Sequence, residues 1–297
     1  MSSADAQLTR GTLYATLAYG AWGVVPIFWK LLERLEALEI LAHRVLWSVV
    51  FVAAALVATR RMGAFVAVLG DRKTLSLLLA SALLIAVNWG IFIWAVLVGR
   101  LVDASLGYFV NPLANVALGV VLLRERLRPL QWAAVALGAA GLGIMLLARG
   151  AGPLVPLTLA CTFAAYGLIR KVAKVESLVG LFVETLVTAP LAIGYLVVRE
   201  VRGDGLFGRG ELGLLALACL AGPITALPLA SFAAAARRLP LSTLGFFQYL
   251  APTLQFLTAV VLFGEQLDPG RLAAFAVIWA ALTLIALDAA RARRATL

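Results

Sequence analysis

Charged residues are scarce in this chain: Asp, Glu, Lys and Arg make up 13% of the 297 residues, whereas hydrophobic residues make up 63%. So few charges cannot cover the surface of a water-soluble globule, which excludes that class of protein. The chain also has one histidine and two cysteines. His43 cannot build a zinc site with the distant Cys161 and Cys219, and both cysteines fall in apolar stretches where a disulfide framework has no use. We therefore predict no metal and no other cofactor.

Short strands of alternating polarity, the sequence pattern of a membrane β-barrel, are also missing. Instead, about ten long apolar stretches recur, each near the ~20 residues that an α-helix needs to cross a ~30 Å hydrocarbon core. The sequence therefore predicts an all-α integral membrane protein with ten transmembrane helices. Predicted spans 1 to 10 lie at residues 12–32, 39–58, 74–98, 102–123, 129–147, 153–171, 178–198, 211–236, 239–263 and 269–289.

The first apolar stretch stands where a secretory signal peptide would stand. We predict a transmembrane helix instead, because this stretch is longer than a signal-peptide core and no small-residue cleavage site leads into a soluble domain. Loops between the spans reach about 16 residues at most, which leaves no room for a soluble catalytic domain. We therefore predict that the protein is not an enzyme.

Basic residues indicate how the chain crosses the membrane, because Lys and Arg favour cytoplasmic loops. With the N-terminus in the cytoplasm, the cytoplasmic segments hold 16 of the 25 basic residues and the outer segments hold nine. We predict a multi-pass protein of the inner membrane with both termini in the cytoplasm. The formal charge of +10 then reflects topology, and because the basic residues are dispersed over short loops, no nucleic-acid partner is predicted.

Two segments of the chain repeat each other: LGYFVNPLANVALGVVLLRERLRP and LGFFQYLAPTLQFLTAVVLFGEQLDP. A shift of 140 residues places Pro112 on Pro252 and Glu125 on Glu265. The repeat unit holds five spans, and because five is odd, the two units are inverted relative to the membrane. Inverted repeats are typical of transporters, with the substrate site near the midplane where the units meet. The predicted units are a first repeat at 12–147, a second repeat at 153–289, and cytoplasmic tails at 1–11 and 290–297.

Polar side chains recur at matching places in the repeat. In span 4, Tyr108, Asn111 and Asn115 have the spacing of one helix face, and Gln248 and Gln255 have it in span 9. Such amides commonly join membrane helices at ~0.6 kcal/mol each, which is the alternative to a pocket. Their paired placement at the repeat interface favours a pocket, so we predict that these five residues bind substrate.

Aromatic and polar residues deeper in other spans extend this set. We predict that Trp22, Asn88 and Tyr166, in spans 1, 3 and 6, also bind substrate. Trp29 could also line the cavity, but tryptophans near helix ends are usually interfacial anchors, and Trp29, Trp47 and Trp132 fit that role from their positions.

Glu184 is the one carboxylate predicted well inside a span, and an ionisable group there marks a functional site with a partner. Span 7 begins near residue 178, so Glu184 lies about two turns deep, within reach of Arg170 and Lys171. We predict a gate or packing ion pair, and transport that does not depend on protonation of Glu184. The predicted gate or ion-pair residues are Lys30, His43, Arg44, Arg170, Lys171 and Glu184.

Several stretches resemble the RarD branch of the EamA family, within the drug/metabolite transporter superfamily. They are AYGAWGVVPIFWKLL, EILAHRVLW, NWGIFIWAV, ASLGYFVNPL, TFAAYGLIRK, TALPLASFAAAARRLPLSTLGFFQYLAPT and FGEQL. The resemblance covers nearly the whole chain. It implies two EamA units, ten helices with both termini in the cytoplasm, and a central cavity formed mainly by helices 1, 3, 4, 6, 8 and 9. The resemblance indicates the mechanism but not which molecule is transported. No substrate-binding residue is carried over from it.

Two functions are compatible with these patterns. The first is a secondary transporter that exports a small amphipathic metabolite or drug by alternating access through a central cavity. The second is a non-transporting membrane scaffold or ligand sensor that uses the cavity only for binding. Two near-equivalent halves favour transport, because rocking of one half against the other requires them. The predicted partners are a small-molecule substrate and membrane lipid, and the sequence sets no oligomeric state.

Overall fold

The computed structural model describes residues 3–111, 129–147, 154–173, 175–236, 238–239 and 247–294. Within these residues the protein is helical and has no β-strand, which agrees with the predicted all-α class. The helices are α1 (Ser3–Leu31), α2 (Ala37–Ala58), α3 (Met62–Gly70), α4 (Arg72–Leu97), α5 (residues 101–111), α6 (Pro129–Leu147), α7 (Leu154–Ala173), α8 (Ser177–Val201), α9 (Leu212–Ala236), α10 (Leu250–Leu257) and α11 (Pro269–Arg294). A π-helical turn, Thr258–Leu262, continues α10.

Four helices of the described part of the chain, α2, α4, α8 and α9, are long and apolar enough to cross a membrane. In lipid, a helix satisfies its own backbone hydrogen bonds, so such segments are stable there. With the apolar composition of the whole chain, they make this an integral membrane protein. The other six predicted spans overlap α1, α5, α6, α7, α10 and α11, and the count of ten crossings stays a prediction.

The chain differs from the predicted helices in two places. A nine-residue helix, α3, lies between spans 2 and 3, where a loop is predicted. Span 9 is predicted as one helix over 239–263, and the described residues depart from this at two points: Leu239 lies in a bend, and a turn at 248–249 separates the helical Phe247 from α10.

Helix α4 illustrates how single residues set helix ends. Asp71 accepts two backbone hydrogen bonds from the first turn, at 3.0 and 3.2 Å, and the Thr74 hydroxyl lowers the pKa of the Asp71 carboxyl. At the other end, Gly99 has a φ of 67°, in the left-handed region that glycine adopts without strain. The amide of Arg100 then bonds back to the carbonyl of Ala95 at 2.7 Å. This turn leads directly into α5.

The helices pack in pairs. α6 packs against α11, α2 against α8, α1 against α9, and α4 against α7. Two close approaches depend on glycine: a Cβ added to Gly107 of α5 would lie 2.8 Å from the carbonyl oxygen of Pro156 on α7, and one added to Gly222 of α9 would collide with the backbone of Trp47 on α2. These contacts bring residues of the two predicted repeats together.

Ion pairs join the two predicted repeats at one end of the bundle, which we call the α1–α2 end because it holds the turn between those helices. The opposite end is called the α3 end. The pairs at the α1–α2 end are Arg34 with Glu211 (2.7 Å), Arg199 with Glu36 (3.0 Å) and Glu39 (3.3 Å), and Arg271 with Asp103 (3.2 Å).

Glu265 caps the N-terminus of α5 from the second predicted repeat. Its carboxylate accepts hydrogen bonds from the backbone N–H groups of Leu101 (2.7 Å) and Val102 (2.9 Å). Burial raises the pKa of the Glu265 carboxyl, against the lowering effect of those two bonds. The dipole of α5 favours an anion at this position, so the contact fixes the start of α5 relative to the loop before α11.

Candidate functional site

Asn88 of α4 joins three helices. Its side chain is fully buried, and its amide donates to the carbonyl oxygen of Leu159 (3.0 Å) and to the hydroxyl of Thr162 (2.9 Å), both on α7. Its side-chain oxygen accepts a 3.0 Å hydrogen bond from the Tyr108 hydroxyl of α5. Buried polar groups need such partners, and Asn88 has one on each end of its amide. Two predicted substrate-binding residues, Asn88 and Tyr108, are therefore in direct contact.

Arg44 of α2 lies beside this contact and is buried with 8% exposure. Its guanidinium carbon is 3.8 Å from the centroid of the Trp89 ring and 5.1 Å from that of the Trp29 ring. Trp29 is fully buried, so its predicted role as an interfacial anchor is wrong. The indole instead faces a cation, whose attraction to the ring is strongest where water is excluded.

Glu184 of α8 lies at the centre of a second polar group, nearer the α3 end. It is buried with 1% exposure and accepts hydrogen bonds from Ser81 of α4 (2.6 Å) and Tyr166 of α7 (3.4 Å). An Arg170 nitrogen lies 3.6 Å from the carboxylate. A buried charge is stable only with such compensation, because its removal from water costs several kcal/mol. The structure thus gives Glu184 the Arg170 partner that the sequence predicts, together with two hydroxyls.

Glycine makes room for this ion pair. A Cβ added to Gly180, one helical turn before Glu184, would collide with the guanidinium of Arg170. The small residue on α8 therefore lets the arginine of α7 reach the carboxylate.

These two groups lie one helical turn apart along α7, and together we call them the polar track. Its members are Ser81 and Asn88 on α4, Thr162, Tyr166 and Arg170 on α7, and Glu184 on α8. Residues of α4 that are seven apart, and residues of α7 that are four apart, share a helix face. The track runs about 10 Å along α4, since seven residues rise ~1.5 Å each.

Trp22 and Gln255 meet outside the polar track. The Gln255 amide donates a 3.0 Å hydrogen bond to the backbone carbonyl of Trp22, whose ring packs against Tyr19 (5.4 Å between centroids) and Phe232 (5.9 Å). Gln255 itself is buried, with 3% exposure. This contact joins α1 to α10, and it leaves the Gln255 side-chain oxygen without a hydrogen-bond partner among the described residues.

The other predicted substrate-binding residues are placed separately. Asn111 is buried, and its side-chain oxygen has no partner in the described part of the chain. Gln248 lies in the turn between the helical Phe247 and α10, so the prediction that it and Gln255 lie on one uninterrupted helix is wrong. Asn115 and the side chain of Lys171 lie outside the described residues.

Lys30 and His43, predicted as gate or ion-pair residues, make local contacts. Lys30 pairs with Glu33 of the same turn at 2.7 Å, and this pair joins no two helices. His43 is buried and its ring lies 5.5 Å from that of Phe207. A depression of about 300 Å³ nearby, lined by Leu46 and Ile193, holds none of the predicted substrate-binding residues. No group of metal-ligating residues is present within the described ranges.

The sequence analysis missed three members of the site. Ser81 and Thr162 belong to the polar track, and Gly180 admits Arg170. Serine, threonine and glycine are common in membrane helices, because small residues let helices approach closely. One signal was available: Thr162, Tyr166 and Arg170 recur every four residues along span 6 and mark one polar helix face.

Known proteins resemble this chain over nearly its full length. The model of the EamA-like transporter family matches residues 9–147. An uncharacterized transporter of Pseudomonas aeruginosa is 47% identical over 293 residues, which are 98% of this chain and 98% of that protein. Protein RarD of Salmonella typhi is 44% identical over 291 residues, 98% of this chain and 99% of the relative.

A solved structure also has a fold similar to that of this chain. A protein of known crystal structure, 21% identical in sequence, superposes with a TM-score of 0.60 over 95% of this chain and 98% of the other. At that identity the likeness shows a shared fold alone. The full-length relatives decide the family, and the chain belongs to the RarD branch of the EamA-like transporter family.

Proposed function

We propose that this protein is a secondary transporter of the inner membrane that exports a small amphipathic metabolite or drug by alternating access, and that it performs no enzymatic reaction. The observation that carries the proposal is the polar track between α4, α7 and α8. Burying polar groups is costly in a protein that is 63% hydrophobic, so a strip of six buried and half-buried polar side chains needs a purpose. A pathway for a partly polar molecule supplies that purpose.

Helix association is the alternative use of buried polar residues. Single side chains in that role contribute about 0.6 kcal/mol on average, and they need no continuity from one pair to the next. The members of the track instead follow one another along the helix axes. Asn88 bonds to Thr162, which lies one turn from Tyr166 on α7, and Tyr166 bonds to Glu184, which also contacts Ser81 and Arg170. This succession favours a pathway over a set of unrelated contacts.

The packing of the helices supports two inverted repeats at 12–147 and 153–289. If spans 1 to 5 are exchanged for spans 6 to 10, the contact between α1 and α9 becomes the contact between α7 and α4. The contact of α2 with α8 and the contact of α6 with α11 are unchanged by this exchange, because the two helices of each pair replace one another. All four contacts occur among the described helices. Two halves related in this way are what rocking about a central site requires.

Polar contacts between the repeats occur at both ends of the bundle. The pairs of Arg34 with Glu211 and Arg271 with Asp103 lie at the α1–α2 end. The Ser81–Glu184 hydrogen bond crosses between the repeats closer to the α3 end. A rocking motion that opens one end must break the contacts there while it keeps those at the other end. We therefore assign these contacts a gating role, with the α3 end and both termini in the cytoplasm.

The names of several relatives support transport as the activity. Three related proteins are described as uncharacterized transporters. They come from Pseudomonas aeruginosa, Vibrio cholerae and Bacillus subtilis and are 47%, 46% and 42% identical to this chain. None of these descriptions names a cargo, so the amphipathic class of substrate rests on the mixture of polar and aromatic side chains along the track.

Vesicle transport assays test the proposal directly. Inside-out membrane vesicles that contain the protein are compared with vesicles that lack it, against a panel of amphipathic metabolites and drugs. Export predicts protein-dependent uptake into inside-out vesicles, and a loss of that uptake when Asn88 is replaced by Leu. A protein that binds members of the panel at equilibrium but moves none of them would instead be a membrane scaffold or ligand sensor.

A further inference from the structure

Arg44 is a buried cation without a carboxylate partner among the described residues. Its side chain donates no hydrogen bond within the described ranges, and its Nε atom is buried and unpaired. Three described acids near the α1–α2 end are committed to other groups: Glu39 to Arg199, Asp103 to Arg271, and Glu265 to the start of α5. Buried charges are normally paired, because removing a charge from water is far more costly than removing a neutral amide.

A second buried donor without a described partner lies beside Arg44. The Trp29 indole N–H, another group that can only donate, is also buried and unpaired in the described structure, and its ring lies 5.1 Å from the guanidinium carbon. The acceptor and the donor of the Asn88 amide are both engaged, with Tyr108 and with α7. Two donors without acceptors at one buried place are complementary to a ligand that only accepts.

We propose that Arg44 binds the carboxylate of the transported molecule, and that the substrate is a small monocarboxylate with an apolar body. The inference rests on the proposed transport function and deepens it. The Trp89 ring, whose centroid lies 3.8 Å from the guanidinium carbon, holds the Arg44 head group by a cation–π contact, and the guanidinium N–H groups are the donors for a ligand. A guanidinium matches a carboxylate in a bidentate geometry, and one cation neutralises one carboxylate.

Aromatic rings next to this site suit the apolar part of such a molecule. Phe92 and Phe163 pack edge-on against the two sides of Tyr108, with centroids 5.6 and 5.8 Å away. Tyr108 therefore lies between polar and apolar surroundings, because its hydroxyl bonds to Asn88 and its ring contacts both phenylalanines. A carboxylate on Arg44 would direct the remainder of the ligand along the polar track.

Equilibrium binding to the purified full-length protein tests this inference. The probes are 3-phenylpropanoate, the matched neutral 3-phenylpropanamide, and inorganic phosphate, each at the same pH and ionic strength. Binding is read from quenching of tryptophan fluorescence and from the shift in thermal unfolding temperature. We expect the carboxylate to bind the natural protein roughly ten-fold or more tightly than the amide, because hydrogen bonds to a charged partner are the strong ones.

Substitutions test whether Arg44 causes the preference for the carboxylate over the amide. Arg44→Gln should reduce it to less than about two-fold, and Arg44→Lys, which keeps the charge and loses the planar fork, should retain part of it. Arg202→Gln removes the same charge from an exposed side chain at the same end, and it should keep the full preference. Equal binding of carboxylate and amide by the natural protein would overturn the inference, and this comparison needs no variant to fold.

Two further results would also overturn it. One is a carboxylate preference that survives in Arg44→Gln, and the other is phosphate that binds as tightly as the carboxylate. Failure of the transport proposal is distinguishable, since these measurements require no transport. A protein that exports neutral molecules without a carboxylate preference would refute the carboxylate site alone. One that binds carboxylates and moves no molecule would refute the transport proposal alone.

Discussion

The hydroxyl of Tyr108 donates a 3.0 Å hydrogen bond to the side-chain oxygen of Asn88 and thereby links α5 to α4 inside the membrane protein. Both residues carry a second set of contacts, Asn88 to α7 and Tyr108 to the rings of Phe92 and Phe163. This pair therefore lies where three helices meet, and it connects the Arg44 neighbourhood with the polar track.

Removal of the Tyr108 hydroxyl should affect transport more than folding. Tyr108→Phe keeps the ring contacts and loses one hydrogen bond, so we expect a loss of about 0.5–1.5 kcal/mol in the free energy of unfolding and a large loss of transport. Thermal unfolding in detergent and flux in liposomes measure the two effects. Phe92→Leu is a matched control that perturbs the ring packing and keeps the hydroxyl. A fall in stability with unchanged flux per folded molecule would assign Tyr108 to helix association.

Substitutions of Asn115 and Gln255 test the predicted binding faces of spans 4 and 9. We expect Asn115→Leu and Gln255→Leu to leave the protein folded in detergent and membrane and to reduce transport, because the lost groups solvate the substrate. For Gln255 the contact to the Trp22 carbonyl supplies a competing role. Flux is therefore normalised to folded protein. If the unfolding temperature collapses while normalised flux is unchanged, these amides only hold helices together.

Protonation of Glu184 should not be part of the transport cycle. Glu184→Gln removes the charge and keeps hydrogen-bonding atoms for Ser81 and Tyr166, so we expect both counterflow and pH-gradient-driven flux to persist in liposomes. The reason is that Arg170 already compensates the carboxylate charge. Retained counterflow with complete loss of pH-driven flux would identify Glu184 as the proton site instead.

Displacement of Arg170 tests the ion pair without touching either charge. Gly180→Ala adds a methyl group where the Arg170 guanidinium lies, and we expect it to change the rate of substrate exchange at little cost in stability, since a flexible side chain can move away. Gly194→Ala on the same helix is the matched control, because a Cβ there meets open space. Equal exchange rates in the two variants would mean that the ion pair has no gating role.

The orientation in the membrane follows from the 16 to 9 division of basic residues, and it can be measured independently of transport. Reporter fusions after residues 66, 174 and 297 should all score as cytoplasmic. The first fusion site lies in α3, which places that helix on the cytoplasmic side as well. A periplasmic signal from any one of the three fusions would contradict the inverted-repeat assignment.

Part of the site could be predicted from the sequence because charged and amide groups are rare in it. A carboxylate inside a span such as Glu184 has few possible partners. Its depth of about two turns places Arg170, at the end of the preceding span, within reach. Asn88 and Tyr108 are likewise conspicuous in apolar stretches. The predictions for Gln248 and Trp29 are wrong because local spacing does not fix their surroundings. The placement of Gln248 depends on the turn before α10. The role of Trp29 depends on Arg44, a residue of another helix that lies beside the indole.

The helical fold and the placement in a membrane follow from the amino-acid sequence alone. Apolar stretches long enough to cross a bilayer satisfy their backbone hydrogen bonds by forming helices, and this does not depend on which helices are neighbours. The membership of Ser81, Thr162 and Gly180 in the site, and the contact of Arg44 with Trp89, are visible only in the packed structure. Such contacts depend on which helix faces meet, and in lipid that choice is made by packing of small residues and by polar pairs between helices, not by the hydrophobicity that all the helices share.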